Sequence, residues 1–226
     1  MTTSENIVTV ARLRAAEARA METVHEDVLM DRAAVAVADA AVALAAERGL
    51  PLAGLPVCVI AGPGNNGGDA LLAGALLARR GASVVAVAVA DRVHPRGARM
   101  LAEAAGSHAL SGIEFPLGRE RVLDARLVID GFAGIGGRPG LPDGAYSLLG
   151  RAVEARLPIV AVDIPSGLAA DSADLPAPDA FPDAPPRYVR ADVTVTFTAP
   201  KRCLVEMPAA AAAGRVIVAD VGVDLG

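Results

Sequence analysis

The sequence predicts an α/β domain built on a mainly parallel sheet, and three observations lead there. A glycine-rich turn at residues 61–69 separates an apolar run, 57–60, from an alanine- and leucine-rich run, 70–78. That is the strand, turn and helix order of half a βαβ unit. Later runs of strand length, such as 83–90 and 159–162, are apolar almost throughout, as strands are when helices cover both faces of a parallel sheet. Finally, 226 residues with 53% hydrophobic content and mean hydropathy +0.43 suffice for one core, burying roughly 70% of the unfolded surface. Neither a repeat nor a composition break divides residues 1–226 into two domains.

Taken in order, residues 10–48 read as two helical pieces. The second carries Met30, Ala34, Val37, Ala41 and Leu44 on one face, while Asp31, Arg32 and Asp39 point elsewhere. Gly49 and Pro51 end it. A sheet does not require so long a preface, so it covers either a sheet face or a partner subunit. The αβ core follows over residues 55–226. Helix 70–80 stops at Gly81, and Pro95 opens another that Gly106 closes. Residues 107–126 show little pattern beyond a short helix near 120–124. A strand at 127–130 ends on Asp130, a second glycine-rich loop occupies 131–140, and a helix over 142–155 leads to strand 159–163, which ends on Asp163. Ile164, Pro165, Ser166 and Gly167 then turn the chain away. With five prolines and four aspartates, residues 171–186 read as a surface loop or disordered insert. Strands over 192–197 and 215–221, joined through Pro200, Lys201 and an alanine-rich turn or helix, complete the core.

Composition excludes several classes of function. A net charge of −5, a pI near 5.2, 3% aromatic residues and no Trp leave neither a basic stripe nor stacking platforms for nucleic acid. Cys58 and Cys203 have no metal-type spacing and no disulfide framework, which suits a reducing compartment. Glu5, Arg12, Arg14, Glu17 and Arg19 deny the N-terminus the apolar core of a signal peptide. The stretch 33–46 is broken by Asp39 and is shorter than the ~20 residues of a spanning helix. No membrane association is expected, and a cytoplasmic location is. His25, His94 and His108 fall in helix or linker segments and read as surface residues.

In an open parallel sheet the strands present their C-terminal ends at one rim, where ligands sit. The turn 62–69, the loop 130–140 and the turn 163–167 therefore converge. The first turn leaves helix N–H groups free for an anion. It lacks the three-glycine dinucleotide fingerprint and the Lys-Ser/Thr pair of a P-loop, and carries Asn65, Asn66 and Asp69 instead. A strand-end aspartate as often caps the next helix, so the convergence of all three loops carries the reading.

Several motifs resemble those of the NAD(P)H-hydrate epimerase family. They are Gly-Pro-Gly-Asn-Asn-Gly-Gly-Asp at 62–69, Asp130 followed by Gly134-Ile135-Gly136, Asp163-Ile164-Pro165-Ser166-Gly167-Leu168, and Val193 to Phe197 before Pro200-Lys201. Arg14-Ala15-Ala16-Glu17 and Leu29 to Ala34 are similar to the family's N-terminal helices, so the resemblance spans nearly the whole chain. It implies a three-layer αβα, Rossmann-like domain that interconverts the R and S forms of hydrated NADH and NADPH. That is a repair step, completed by a partner ATP- or ADP-dependent dehydratase that uses only the S form. It also implies a bound potassium ion held by Asn66, Asp130 and Ser166, which supply amide, carboxylate and hydroxyl oxygens. Substrate contacts are implied for Asn65, Asn66, Gly67, Gly68, Asp69, Gly134, Ile135, Gly136, Gly137, Arg138, Pro139, Gly140 and Asp163.

The mechanism expected from the substrate places Asp163 as acid and then base at the hydrated carbon; the bland alternative is that it only contacts a ribose hydroxyl or caps a turn. Three departures stand out: Ala70 where a further glycine is usual, Arg138 where some relatives carry lysine, and a longer proline-rich insert. The chain is expected to be either a stand-alone epimerase or part of a two-domain protein, and a homodimer is expected from the apolar helix face together with the resemblance. A scaffold on the same fold is the rival reading, weakened by Asn66, Asp130, Asp163 and Ser166, none of which a scaffold needs. An NAD-dependent oxidoreductase is disfavoured by the missing fingerprint and by the absence of histidine near the rim.

Overall fold

A computed structural model describes residues 7–112, 117–178 and 184–226. Among them, β1 (Pro56–Ala61), β2 (Ser83–Ala88), β3 (Leu110–Gly112), β4 (Leu127–Gly131), β5 (Ile159–Val162), β6 (Val193–Phe197) and β7 (Arg215–Ala219) form one sheet in the order β3-β2-β1-β4-β5-β6-β7. Every neighbouring pair is parallel. This is the three-layer, Rossmann-like arrangement. Helices α3 (Asn65–Arg79), α4 (Pro95–Ala105), α5 (Leu117–Asp124) and α6 (Asp143–Glu154) make the early crossovers, and α7 (Arg202–Val205) with a 3₁₀ turn at Ala209–Ala212 makes the last. The chain runs outward from β1 to β3 and returns on the other side of β1 as β4, where Ile60 pairs with Asp130 and Ala61 with Gly131. Such a reversal opens a crevice above the strand ends.

Side chains alternate between two apolar layers. Val57, Val59, Ile129, Val160 and Val162 face α2 (Glu26–Glu47) and α3, whereas Cys58, Ile60, Val128 and Ile159 face α5 and α6. Helix α2 thus covers a sheet face: Met30, Ala34, Val37, Ala41 and Leu44 are all buried within one chain. The face on which the homodimer expectation rested is therefore occupied. Helix α1 (Val10–Ala20) is held by the C-terminal tail, with Ala16 packed among Ala33, Val221 and Val223 and Arg12 donating to the Gly226 carbonyl at 3.1 Å.

The elements differ from the sequence reading at informative places. Helix α3 starts at Asn65 rather than residue 70, because the glycines of this stretch serve close packing and adopt helical backbone. Strand β3 and a longer α5 occupy the segment that carried little pattern. Asp163 lies just beyond β5, and β7 ends at Ala219. The described part of the 171–186 segment is tied down: Asp171 accepts the Val10 N–H at 2.9 Å, and Ala173 accepts the Ala209 N–H at 2.9 Å. Residues 179–183 of that segment lie outside the described residues. His94 is half-buried against Gly68, correcting its assignment to the surface. Both cysteines are buried and free, and burial pushes each thiol up to about 12, which leaves them unreactive. No helix among the described residues is long and apolar enough to cross a membrane.

Close backbone approach explains the first glycine. Gly62 donates its N–H to the Gly131 carbonyl at 3.1 Å, and a Cβ built on it would lie 1.9 Å from the Phe132 carbonyl oxygen. Gly64, by contrast, has open space around its Cβ position. Gly62→Ala should therefore cost about 3 kcal/mol or more in chemical denaturation, and Gly64→Ala less than about 1 kcal/mol. Equal losses would contradict this packing account.

Candidate active site

Above the ends of β1, β4 and β5 lies a cavity of about 1020 Å³. Its lining includes Asn65, Asn66 and Asp69 at the start of α3, the second glycine-rich loop, Asp163 and Lys201, while Arg14, Glu17 and Met21 of α1 and Glu26 of α2 form another wall. The second loop is bound to the third turn, as the Gly140 N–H donates to Gly167 O at 2.9 Å and the Ala133 N–H to Ser166 Oγ at 3.0 Å.

Asp163 is placed by unusual backbone. Its φ is +68°, and the Ile164 N–H donates across it to Val162 O at 2.9 Å, a positive-φ γ-turn of a kind that costs about 1–3 kcal/mol. Aspartate is among the few side chains that tolerate this region. The carboxylate, 6% exposed, accepts the Ile135 N–H on Oδ2 at 2.8 Å and the Thr196 hydroxyl on Oδ1 at 3.3 Å. Lys201 Nζ stands 2.7 Å from the same Oδ1.

Lys201 is 1% exposed, and its ammonium uses all three donors. Besides Asp163 it meets Thr196 Oγ1 at 2.7 Å and the Phe197 carbonyl at 3.0 Å. The sequence reading quoted this residue inside a motif but did not count it in the site. One signal was available: Lys201 is the sole lysine among 21 Lys and Arg residues. A compact ammonium is required where a planar guanidinium would not fit three converging acceptors.

Asp130 and Ser166 lie beneath the cavity, both fully buried. Ser166 donates its hydroxyl to Asp130 Oδ1 at 2.6 Å and its N–H to Oδ2 at 2.8 Å, and the Phe132 N–H reaches Oδ1 at 3.3 Å. Burial pushes the Asp130 carboxyl up to about 6 against these hydrogen bonds, and no cation among the described residues offsets it. Asn66 stands beside Asp163: a Cβ built on Gly134 would lie 2.9 Å from Asn66 Oδ1 and 2.6 Å from Asp163 Oδ2, so only glycine fits between them. The Asn66 Nδ2 is buried without a partner.

The remaining expected contacts divide. Gly134 to Gly140, including the exposed Arg138, line the cavity. Gly67 and Gly68 do not. They let α3 pack against the Gly62 carbonyl and against Met30 and His94. Asn65 lines the mouth, but its amide donates to Glu26 Oε1 at 2.6 Å. Asp69 is 8% exposed and has a buried Oδ1 without a hydrogen-bond partner. Burial first, then the charges of Asp163, Glu26 and Glu17, hold its carboxyl well above the usual range, with Arg96 opposing. Glu17 is raised by burial and Asp163, against Lys201 and Arg14.

Comparison with known proteins places the chain in a family. The family model described as the YjeF-related protein N-terminus matches residues 26–203. An NAD(P)H-hydrate epimerase of Clavibacter michiganensis is 40% identical over 95% of this chain and 90% of that protein. The bifunctional NAD(P)H-hydrate repair enzyme Nnr of Corynebacterium glutamicum is 37% identical over 96% of this chain, which spans 39% of that longer protein. The crystal structure of yeast ynu0 superposes with a TM-score of 0.69 at 23% identity, over 87% of this chain and 82% of that one, and shows the same fold.

The buried ion pair yields a stability prediction. Lys201→Met leaves Asp163 uncompensated and should cost about 3–5 kcal/mol in denaturant unfolding. Adding Asp163→Asn should recover at least about 1 kcal/mol of that loss. Strict additivity of the two losses would show that the pair is not coupled.

Proposed function

Because the chain belongs to the family described as the YjeF-related protein N-terminus, we propose that it is an isomerase interconverting the R and S epimers of hydrated NADH and NADPH. The observation that carries the reading is Asp163, a buried acceptor held by Lys201, Thr196 and the Ile135 N–H inside a cavity of about 1020 Å³. A helix N-terminus opens onto the same cavity.

The chemistry follows from the substrate. Its hydrated ring carbon bears a hydroxyl and is bonded to the ring nitrogen. When the hydroxyl is protonated, water departs, the nitrogen lone pair forms a C=N bond, and the carbon becomes planar. Water adding to the opposite face, with loss of a proton to a base, inverts the centre. Asp163 is the base of this scheme, and its carboxylate also lies near the positive charge that develops on the ring. Free N–H groups in the first turn of α3 and the 134–140 loop bind the diphosphate, with Arg138 at the mouth as its cation.

Asn66, Asp130 and Ser166 fit a monovalent cation, on the evidence of a fully buried carboxylate with no cation beside it. Potassium bound there would supply the missing charge. The S epimer formed is consumed by an S-specific dehydratase, the functional partner, in keeping with a Corynebacterium relative named a bifunctional NAD(P)H-hydrate repair enzyme. A cytoplasmic location, supported by the two free thiols, and a homodimer, which rests on the family resemblance alone because α2 faces the sheet, complete the reading. Sedimentation at micromolar concentration tests the dimer; a monomer there would refute it.

Mixed hydrate epimers supplied with a purified S-specific dehydratase test the activity: the R form should disappear only when this protein is added. Persistence of the R form would refute the reading. Asp163→Asn should lower turnover by about 10²- to 10⁴-fold; asparagine tolerates the positive φ but leaves Lys201 unpaired, so turnover is read on variant protein whose circular dichroism matches the wild type.

Potassium makes a pH-dependent prediction. Without the ion, the stability contributed by Asp130 is present below its unfolded value of about 3.9 and is lost as pH rises through about 6. The ion binds the carboxylate, so its benefit should appear across the same window. KCl should raise Tm by several degrees over tetramethylammonium chloride at pH 7.5 and by almost nothing at pH 5. An equal effect at both pH values would exclude Asp130 as a ligand.

A further inference from the structure

We propose that Asp69 is the proton donor of the epimerisation and Asp163 its opposing acceptor, two carboxyl groups that enter one cavity from different elements with opposite hydrogen-bond surroundings. The proposal rests on the epimerase reading above. Asp163 has donors on both oxygens, from Ile135, Thr196 and Lys201. Asp69 has none among the described residues, and its Oδ1 is buried without a partner. The charged groups facing Asp69 are Asp163 beyond β5, Glu26 of α2, Glu17 of α1 and Arg96 of α4. Three of the four are carboxylates, and Arg96 is already engaged by Asp31 at 2.6 Å. Ionising a carboxyl so placed is unfavourable, because no donor meets it among the described residues and its Oδ1 is shut off from water. Burial accordingly holds it well above the usual range. Paired carboxyls with divergent surroundings divide acid and base roles between them.

The fold separates the two groups. Asp69 belongs to the helix that follows β1, and Asp163 lies just beyond β5, with β4 between those strands.

The step balances as follows. The Asp69 carboxyl gives its proton to the substrate hydroxyl; the C–O bond breaks with its electron pair leaving on water, and the ring nitrogen lone pair forms C=N. A second water attacks the other face, the C=N electrons return to nitrogen, and the excess proton passes to Asp163. Water in the open cavity returns that proton to Asp69. The opposite epimer runs the same steps with the roles exchanged.

Interconversion of purified epimers, followed by chromatography from pH 5 to 10, tests this in the wild-type protein, Asp69→Asn and Asp69→Ser. Wild-type kcat should fall on the alkaline side as Asp69 ionises. Asp69→Asn should lower kcat by about 10²-fold or more, leave KM within about threefold, and lose the alkaline limb, with Asp69→Ser doing the same. A raised KM with kcat and the limb intact would make Asp69 a binding contact only and overturn the proposal. So would a wild-type profile with no alkaline limb. Isotope-edited infrared spectra of ¹³C-aspartate protein read protonation without turnover: a protonated carboxyl band at pH 7, absent in both variants, is expected, and its absence from the wild type overturns the assignment. If the wild-type protein does not interconvert the epimers, the functional reading falls and the catalytic role with it, whereas an active wild type whose variants keep full kcat removes Asp69 alone.

Discussion

The buried ion pair between Lys201 and Asp163 is the interaction on which the site depends. It joins two segments that the sheet alone would leave separate, the turn after β5 and the chain leaving β6. A positive-φ γ-turn aims Asp163 into the cavity, and Thr198, with φ +68° and the Ala199 N–H donating back to Phe197 O at 2.7 Å, turns the other segment so that Lys201 returns beneath it. Two strained turns persist only because the contacts between them over-determine the geometry. Replacing either partner leaves a bare charge in a place with little water, which is far costlier than never having built the pair.

Glycine provides the complementary constraint. The rim is assembled from three backbone segments that touch through main-chain atoms rather than side chains, as at Gly62 against Phe132 and Gly134 against Asn66 and Asp163. Side-chain oxygens of different loops can then converge within a few ångströms. The same closeness excludes water from beneath the cavity. Asp130, Ser166 and Asn66 consequently lie in surroundings where each unpaired polar atom carries a large desolvation cost. Buried charge is thus distributed unevenly across the site: one carboxylate is neutralised by lysine, one leans on a serine, and one has no donor.

The N-terminal helices and the C-terminal tail close the far wall of the cavity. Helix α2 satisfies the sheet, while α1 reaches the cavity by packing on α2 and on residues 221–225. Arg14 and Glu17 reach the ligand space this way, although about 145 residues or more separate them from Asp163 in the chain. Ordering the tail and ordering the cavity are therefore one process.

By itself the sequence determined the parallel sheet and the three rim loops, and most of the residues it marked for substrate contact line the cavity. Continuous apolar strands, glycine clusters and strand-terminal aspartates are local signals, and local signals survive in one dimension. It also held a trace of Lys201, as the one lysine in an arginine-rich chain. Only the tertiary structure decided that Lys201 neutralises Asp163, that Gly67 and Gly68 pack behind the cavity, that α2 faces the sheet, and that Asp69 has no donor. Each depends on which groups from distant segments share a volume without water. Burial and pairing of charge are properties of that shared volume, and no spacing along the chain encodes them.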